Sequence, residues 1–181
     1  KRQHMAASTS KVVFLDVDGV LHPFSASSFF HAPCMTALRE LVQQTGANLV
    51  LSSSWQATQA SLATVNGALQ ANGLPACMDT TVPLNANGIA RPSTSEAGRA
   101  AEIHRWVQTH RERCAGGWIA VDDMDLRSHL PPERFVRTAV ESGLTSTDAE
   151  QAIRLLGGPD ASLTQLPPPQ RERVPRGEVR H

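Results

Sequence analysis

Three apolar runs alternate with helical patterns along this chain, and that alternation limits its fold more than any other feature. The runs lie within residues 11–16, 47–55 and 117–126, and each turns polar at its end. Strands that alternate with helices form a parallel sheet with helices packed on both faces. We therefore predict a three-layer α/β/α sandwich with a central parallel sheet, and helices within residues 34–46, 56–72, 95–112 and 144–158.

All three runs end in polar residues at what should be one edge of the sheet. Asp16 and Asp18 end the first run, the serines at 52–54 end the second, and Asp122 with Asp123 ends the third. The carboxyl ends of parallel strands line the ligand crevice in such folds. Neighbouring carboxylates repel one another without a cation, and Mg²⁺ prefers carboxylate oxygens together with water and phosphate. The sequence therefore predicts a magnesium site open to a phosphate, formed by Asp16, Asp18 and one acid of the third run.

Other interpretations of these acids fit the sequence less well. Asp18-Gly19 is a strong hairpin signal, but Pro23 would then interrupt the second strand of the hairpin. A calcium loop that began at Asp16 would need a glutamate at its twelfth position, where the chain has Ser27. The acids of the third run could form a solvated turn, an interpretation that the other two strand ends disfavour.

Further polar residues are candidates for the site or for structural roles. A hydroxyl and backbone N–H at residues 52–54 could hold a phosphate oxygen, although serines also form polar turns. Arg99 lies in the first turn of its helix, where the dipole disfavours a cation, so it either pairs with an anion or lies on the surface. We predict that Trp55 is a core anchor, and that four histidines have structural or surface roles: His22, His31, His104 and His110.

Composition is typical of a soluble globular protein. The 181 residues carry 17 basic and 17 acidic side chains, so no overall field attracts nucleic acid or an anionic membrane. The chain shows no transmembrane run and no secretory signal, and three dispersed cysteines disfavour a disulfide framework. We expect a cytoplasmic protein with a flexible leader and tag remnant at 1–10, one domain at 11–157 and a disordered Pro- and Arg-rich tail at 158–181.

Four segments resemble the motifs of the haloacid dehalogenase (HAD) superfamily of phosphatases. "FLDVDGVL" is similar to motif I, "LVLSSSW" to motif II and "IAVDDMD" to the Asp-Asp form of motif IV. Arg99 is similar to the basic residue of motif III, which is more often a lysine. "DVDGVLHP" with "SSSW" looks most like a small bacterial subgroup that includes domains of RNA-repair proteins. The resemblance runs from residue 11 to about residue 157 and implies a Rossmann-like, HAD-like fold.

The resemblance also implies roles for the acids. Asp16 would be the nucleophile that forms an aspartyl-phosphate. Asp18 would protonate the leaving oxygen and then accept a proton from the attacking water. Asp16, the backbone carbonyl of Asp18 and one further acid would hold Mg²⁺. Asp123 is the first choice for that acid, and Asp122 is the second.

For the phosphate group, the resemblance implies a contact from a serine at the end of the second run. Ser53 and Ser52 compete for this role, because the strand end is ambiguous by one residue. Arg99 and Gly19 complete the implied phosphate-binding set. An arginine can neutralise the same charge as the more common lysine of motif III.

The spacing of the motifs leaves no room for the large cap domain that many HAD enzymes place over small substrates. Motifs I and II are separated by a loop and one helix, and about forty residues separate motifs II and III. An open site suits a large phosphorylated substrate, with a nucleic-acid end ahead of a phosphoprotein. Two alternatives are a small-metabolite or nucleotide phosphatase and a non-catalytic HAD-like binding domain. Four arginines lie in the segment expected to flank the site: Arg91, Arg99, Arg105 and Arg111.

Overall fold

The computed structural model describes residues 10–157 and contains a single five-stranded sheet. All neighbouring strands are parallel, and their spatial order is third, second, first, fourth, fifth. The predicted parallel α/β architecture is confirmed. The predictions for residues 1–9 and 158–181 lie outside the described residues. The strands are β1 (Val12–Leu15), β2 (Asn48–Leu51), β3 (Asp79–Thr80), β4 (Trp118–Asp122) and β5 (Phe135–Arg137).

Helices cover both faces of the sheet, as predicted. Side chains of three helices pack with one face, and those of the fourth pack with the other face. The first three are α1 (Ala32–Thr45), α2 (Gln59–Ala71) and α4 (Ser146–Gly157), and the fourth is α3 (Glu96–Thr109).

The central strand β1 is buried on both faces, which explains its continuous apolar sequence. Val13 and Leu15 belong to the core beneath α1, α2 and α4, whereas Val12 and Phe14 belong to the core beneath α3. This division follows from the alternation of side chains along a strand. Each fully buried side chain of this size contributes about 1.5–3 kcal/mol of burial free energy. The strand that precedes Asp16 is therefore rigidly held.

The strand order places a switch point at the centre of the sheet. The chain steps from β1 outward to β2 and β3, and then returns to form β4 and β5 on the other side of β1. In open α/β sheets, ligands bind outside the carboxyl ends of the strands at such a reversal. Asp16 directly follows β1 and Asp122 is the last residue of β4, so both lie at this position.

Two strands were not predicted from the sequence. β3 and β5 contain two and three residues, too few to show an alternating pattern. In addition, the segment predicted as one helix at 56–72 divides into a short 3₁₀ helix, Ser54–Ala57, and α2. The division occurs because Thr58 caps α2: its hydroxyl accepts the N–H of Ser61, and the Ser61 hydroxyl contacts the cap in return.

Neither connection that could hold a cap contains a separate domain in the described part of the chain. A loop links β1 to α1, and the segment between α2 and α3 adds only β3 and irregular backbone. The carboxyl edge of the sheet thus lacks a large cover, as predicted. Between residues 10 and 157, no helix combines the length and the apolar character needed to cross a membrane.

Candidate active site

The loop after β1 holds Asp16 tightly against the carboxyl edge of the sheet. Asp16 is only 5% exposed. The backbone N–H groups of Val20, Leu21 and His22 all donate to the carbonyl of Val17, which closes the loop into a tight turn. Three apolar side chains of this turn are buried in the core. Asp16 is therefore fixed by the fold and cannot swing freely into solvent.

Arg99 bridges two buried aspartates. Its Nη1 lies 2.8 Å from Asp122 Oδ2 and 3.3 Å from Asp16 Oδ1, and it also donates to the backbone carbonyl of Ser52. α3 begins after the cap residue Ser95, so Arg99 lies close to the helix N-terminus. Two carboxylates offset the unfavourable position of a cation there. Arg99 is 4% exposed, which excludes the alternative of a surface arginine.

The two aspartates are difficult to ionise in this site. Burial raises the pKa of Asp16 to about 6, although Arg99 and a hydrogen bond from Ser53 oppose the rise. Burial, followed by repulsion from Asp16, raises the pKa of Asp122 to about 7 against the attraction of Arg99. Burial also disfavours the charged form of Arg99, but the two carboxylates outweigh it and raise the pKa of the guanidinium. A further cation would stabilise the ionised carboxylates.

Three carboxylates at this edge are close enough to share one metal ion. Oxygen atoms of Asp16, Asp122 and Asp123 all lie within 4.8 Å of one another. Hard oxygen ligands of this kind fit Mg²⁺. Asp122 already accepts hydrogen bonds from Arg99 at Oδ2 and from the Met124 N–H at Oδ1, whereas Asp123 is partly exposed. The arrangement makes Asp123 the more available ligand of the two.

The Asp18 side chain lies outside this carboxylate cluster and is 46% exposed. Trp55 Nε1 donates to Asp18 Oδ2 over 3.0 Å, and His22 Nδ1 lies 3.4 Å from Asp18 Oδ1. Each carboxylate oxygen thus has its own partner, which fixes the orientation of the carboxyl group. Trp55 packs against the core as predicted, but its indole N–H also donates a hydrogen bond to Asp18. His22, expected to be structural or on the surface, contacts a candidate catalytic acid.

The two candidate serines differ in what their hydroxyls reach. Ser53 donates a hydrogen bond to Asp16, and its oxygen accepts the Trp55 N–H over 3.4 Å. The Ser52 hydroxyl is buried and has no hydrogen-bond partner among the described residues, whereas the Ser52 carbonyl accepts from Arg99. The geometry favours Ser53 for contact with the Asp16 carboxylate. Ser52 instead holds Arg99 through its backbone.

Gly19 allows Asp123 to approach the loop. Its φ of +71° lies in the left-handed region, and a Cβ at this position would lie 2.5 Å from Asp123 Cγ. The Gly19 carbonyl accepts a 2.7 Å hydrogen bond from Thr138 Oγ1, and Arg137 Nε donates to the backbone carbonyl of Asp123 over 3.0 Å. Arg137 and Thr138 lie at the end of β5. Because that strand was not predicted, sequence reasoning missed both supports.

Of the four arginines expected to flank the site, Arg99 alone belongs to the carboxylate cluster within residues 10–157. Arg91 is exposed in the loop before α3, and Arg105 is exposed further along that helix. Arg111 begins the 3₁₀ helix Arg111–Cys114, which leads to the amino end of β4. A helix that connects parallel strands runs from the carboxyl edge back to the amino edge. The expectation is therefore wrong for Arg111, which lies towards the opposite edge.

The uncovered parallel sheet and the acids, serine and arginine that meet at its switch point define a domain of the HAD superfamily. A family model described as the HAD domain in Swiss Army Knife RNA repair proteins matches residues 12–149. The chain belongs to this family. No curated protein and no solved structure gives a match. Family membership supports a hydrolase of the phosphatase type.

Proposed function

We propose that this protein is a Mg²⁺-dependent phosphomonoester hydrolase that forms an aspartyl-phosphate at Asp16 and releases phosphate from a nucleic-acid end. The observation that carries the proposal is the environment of Asp16. It is a buried carboxylate at the switch point of the sheet, beside the Arg99 guanidinium and two further acids. Such a group suits covalent catalysis, because it is held in one position and flanked by positive charge.

In the first step, a carboxylate oxygen of Asp16 attacks phosphorus, and the bond between phosphorus and the leaving oxygen breaks. Asp18 gives its proton to that oxygen, so that an alcohol leaves. Trp55 and His22 hold the Asp18 carboxyl group through one contact to each oxygen. The hydroxyl of Ser53 orients the nucleophile by its hydrogen bond to Asp16.

In the second step, a water molecule attacks the phosphorus of the aspartyl-phosphate and gives its proton to the Asp18 carboxylate. The bond between phosphorus and the Asp16 oxygen breaks, and inorganic phosphate leaves. Asp18 is then protonated and Asp16 is again a carboxylate, so the site has returned to its starting state. Arg99 remains charged throughout because two acidic partners raise its pKa.

Asp16, the backbone carbonyl of Asp18 and Asp123 would hold the magnesium ion, with Asp122 as the alternative to Asp123. When bound, the ion neutralises charge on the transferring phosphoryl group and on the nucleophile. The close approach of three carboxylate oxygens supports this assignment. So do the raised pKa values of Asp16 and Asp122, because an added cation would relieve the repulsion that contributes to both.

The uncovered site supports a large substrate. Without a cap, water exclusion and orientation must come from the substrate itself. A phosphoprotein would satisfy this condition as well as a nucleic acid. The match to a HAD family of RNA repair proteins favours a phosphorylated nucleic-acid end.

The test measures phosphate release from 5′- and 3′-phosphorylated RNA oligonucleotides, the corresponding mononucleotides, phosphoserine and a phosphopeptide. We expect turnover that EDTA removes and Mg²⁺ restores, with a higher kcat/KM for the oligonucleotide than for the mononucleotide. Asp16→Asn should abolish turnover, because an amide cannot form the acyl phosphate. Asp148→Asn, in the first turn of α4, is the matched control and should retain it.

Each failure has a separate meaning. Turnover by folded Asp16→Asn protein would contradict the covalent mechanism. Binding of phosphorylated RNA without turnover in any metal would indicate the non-catalytic binding domain. Equal kcat/KM values for the small and large member of each substrate pair would contradict the argument from the open site.

A further inference from the structure

An aromatic side chain stands exposed beside the candidate acid. The Phe29 side chain is 62% exposed, although a ring of this size is usually covered. Its ring centroid lies 4.4 Å from that of His22 at an interplanar angle of 46° and 5.8 Å from that of Trp55, edge to face. Phe29 therefore has two aromatic neighbours on its protein side and solvent on the other.

Both neighbours of Phe29 are the residues that hold Asp18. Trp55 Nε1 donates to one oxygen of this carboxyl group, and His22 Nδ1 lies against the other. A general acid must lie within hydrogen-bond reach of the leaving oxygen that it protonates. The rest of the leaving group therefore passes on the Asp18 side of the site, where Phe29 is exposed.

The backbone next to Phe29 is held in an unfavourable conformation. Phe30 has a φ of +56°, and among residues 10–157 it is the only residue other than glycine with a positive φ. This conformation is uncommon for a bulky side chain, and such strain persists only where surrounding contacts enforce it. The Phe30 ring packs against the core and lies edge-on to Trp55 at 5.7 Å. The turn thus packs the partly buried Phe30 ring against the core and leaves its neighbour Phe29 exposed.

We propose that Phe29, supported by Trp55 and His22, is a stacking site for the nucleobase of the phosphorylated terminal nucleotide. This inference rests on the proposed function and names the part of the substrate that the site recognises. For a 5′- or a 3′-phosphate, the leaving oxygen belongs to the terminal nucleoside, so its base lies on the Asp18 side. Stacking on an aromatic ring accepts any base, because every base presents a π-face.

The experiment compares two RNA oligonucleotides that differ in the phosphorylated terminal nucleotide, which carries a base in one and is abasic in the other. Wild-type protein should prefer the base-bearing oligonucleotide on the order of 10-fold in kcat/KM, as expected for one base stacked on an aromatic ring. Phe29→Ala should remove this preference, and Phe29→Trp should restore it. Because Phe29 is exposed, the alanine variant should fold normally.

Phe24 offers a matched control. It is 73% exposed, and it borders an open cavity of about 600 Å³ together with Asp123, Arg137 and Thr138. Phe24→Ala should retain the preference for the base-bearing oligonucleotide. If Phe24→Ala removed the preference and Phe29→Ala did not, the assignment to Phe29 would be wrong.

Binding gives a second readout that does not depend on turnover. An oligonucleotide with 2-aminopurine in the phosphorylated terminal position loses fluorescence when its base stacks. Asp16→Asn protein should quench it, and the double variant with Phe29→Ala should not. Equal kcat/KM values for base-bearing and abasic oligonucleotides in the wild type would overturn the inference, as would faster turnover of phosphopeptides than of RNA. Turnover by Asp16→Asn would instead overturn the proposed function.

Discussion

Arg99 in α3 donates a 2.8 Å hydrogen bond to Asp122 at the end of β4, although the two residues are 23 positions apart in the sequence. Both side chains are buried, and the same guanidinium lies 3.3 Å from Asp16. The pair therefore joins the helix layer to the centre of the sheet. It also supplies the positive charge that the candidate nucleophile needs, so one contact serves both the fold and the site.

Arg99→Ala should lower the free energy of unfolding by about 3–5 kcal/mol, because it leaves buried carboxylates without their cation. Phosphate release should also be lost in conditions where the variant remains folded. Arg105→Ala changes an exposed arginine of the same helix and should alter stability by no more than about 0.5 kcal/mol. Urea unfolding followed by circular dichroism measures the stability of both variants. Equal stability of the two variants would show that the buried bridge does not stabilise the fold.

Gly19→Ala should weaken Mg²⁺ binding, because the new Cβ would lie 2.5 Å from Asp123 Cγ. Gly46→Ala is the matched control: its φ is +65°, but no atom lies within 4 Å of the added Cβ. Both variants should lose about 1–2 kcal/mol from the left-handed backbone conformation. Only Gly19→Ala should lower the affinity for Mg²⁺, measured by isothermal titration calorimetry. The same affinity in both variants would remove Asp123 from the proposed ligand set.

Trp55→Phe removes the N–H that holds Asp18 while keeping most of the ring. Turnover should fall on the order of 10-fold for substrates with poor leaving groups and much less for aryl phosphates with good ones, because only the former need a proton from Asp18. Trp106→Phe is the control, since Trp106 Nε1 makes a similar 2.9 Å hydrogen bond to Asp79 away from the site. A uniform loss across leaving groups would assign Trp55 a purely structural role.

The stability of the metal-free protein should fall as the pH rises from 5 to 8. The pKa values of Asp16 and Asp122 are raised from 3.8 to about 6 and about 7, so the folded protein binds more protons than the unfolded chain in this range. The favourable contribution of the two carboxyl groups to the free energy of unfolding is complete below pH 4. It is lost as the pH rises past 6 for Asp16 and past 7 for Asp122. Mg²⁺ competes with these protons and should therefore raise Tm more at pH 8 than at pH 5.

Differential scanning fluorimetry measures this effect as a shift in Tm. Each kcal/mol of change in the free energy of unfolding should shift Tm by about 2–4 °C. Asp122→Asn removes one of the two carboxylates and should flatten the metal-free profile. The difference between wild type and this variant isolates the contribution of the Asp122 carboxyl group from that of the other titratable groups. A wild-type profile no steeper than that of Asp122→Asn would contradict the raised pKa of Asp122.

Sequence patterns predicted the main elements because these elements are long or continuously apolar. β1 is buried on both faces and reads as an uninterrupted apolar run, and α1 shows apolar residues at helical spacing. β3 and β5 contain two and three residues and acquire strand geometry only by pairing with β2 and β4. The local residue pattern does not indicate such pairing, so these edge strands were not predicted.

The acids of the site were predictable because parallel strands bring their carboxyl ends together. The side chains that contact the Asp18 carboxyl group were not predictable in this way. A tryptophan is mostly apolar, so Trp55 read as a core residue, and the direction of its N–H depends on how the motif II loop packs beside the motif I loop. His22 lies four residues after Asp18, a short separation that could have drawn attention to it. Thr138 depends on β5 and had no local signal.

The covalent mechanism is tested most directly by finding where the phosphoryl group is held during turnover. Wild-type protein with Mg²⁺ and an RNA oligonucleotide carrying a ³²P-labelled terminal phosphate is quenched in acid within milliseconds and digested. We predict an acid-stable, hydroxylamine-sensitive label in the peptide that contains Asp16, and no label in Asp16→Asn protein. Release of phosphate with label on another residue, or with no labelled peptide at any quench time, would contradict it.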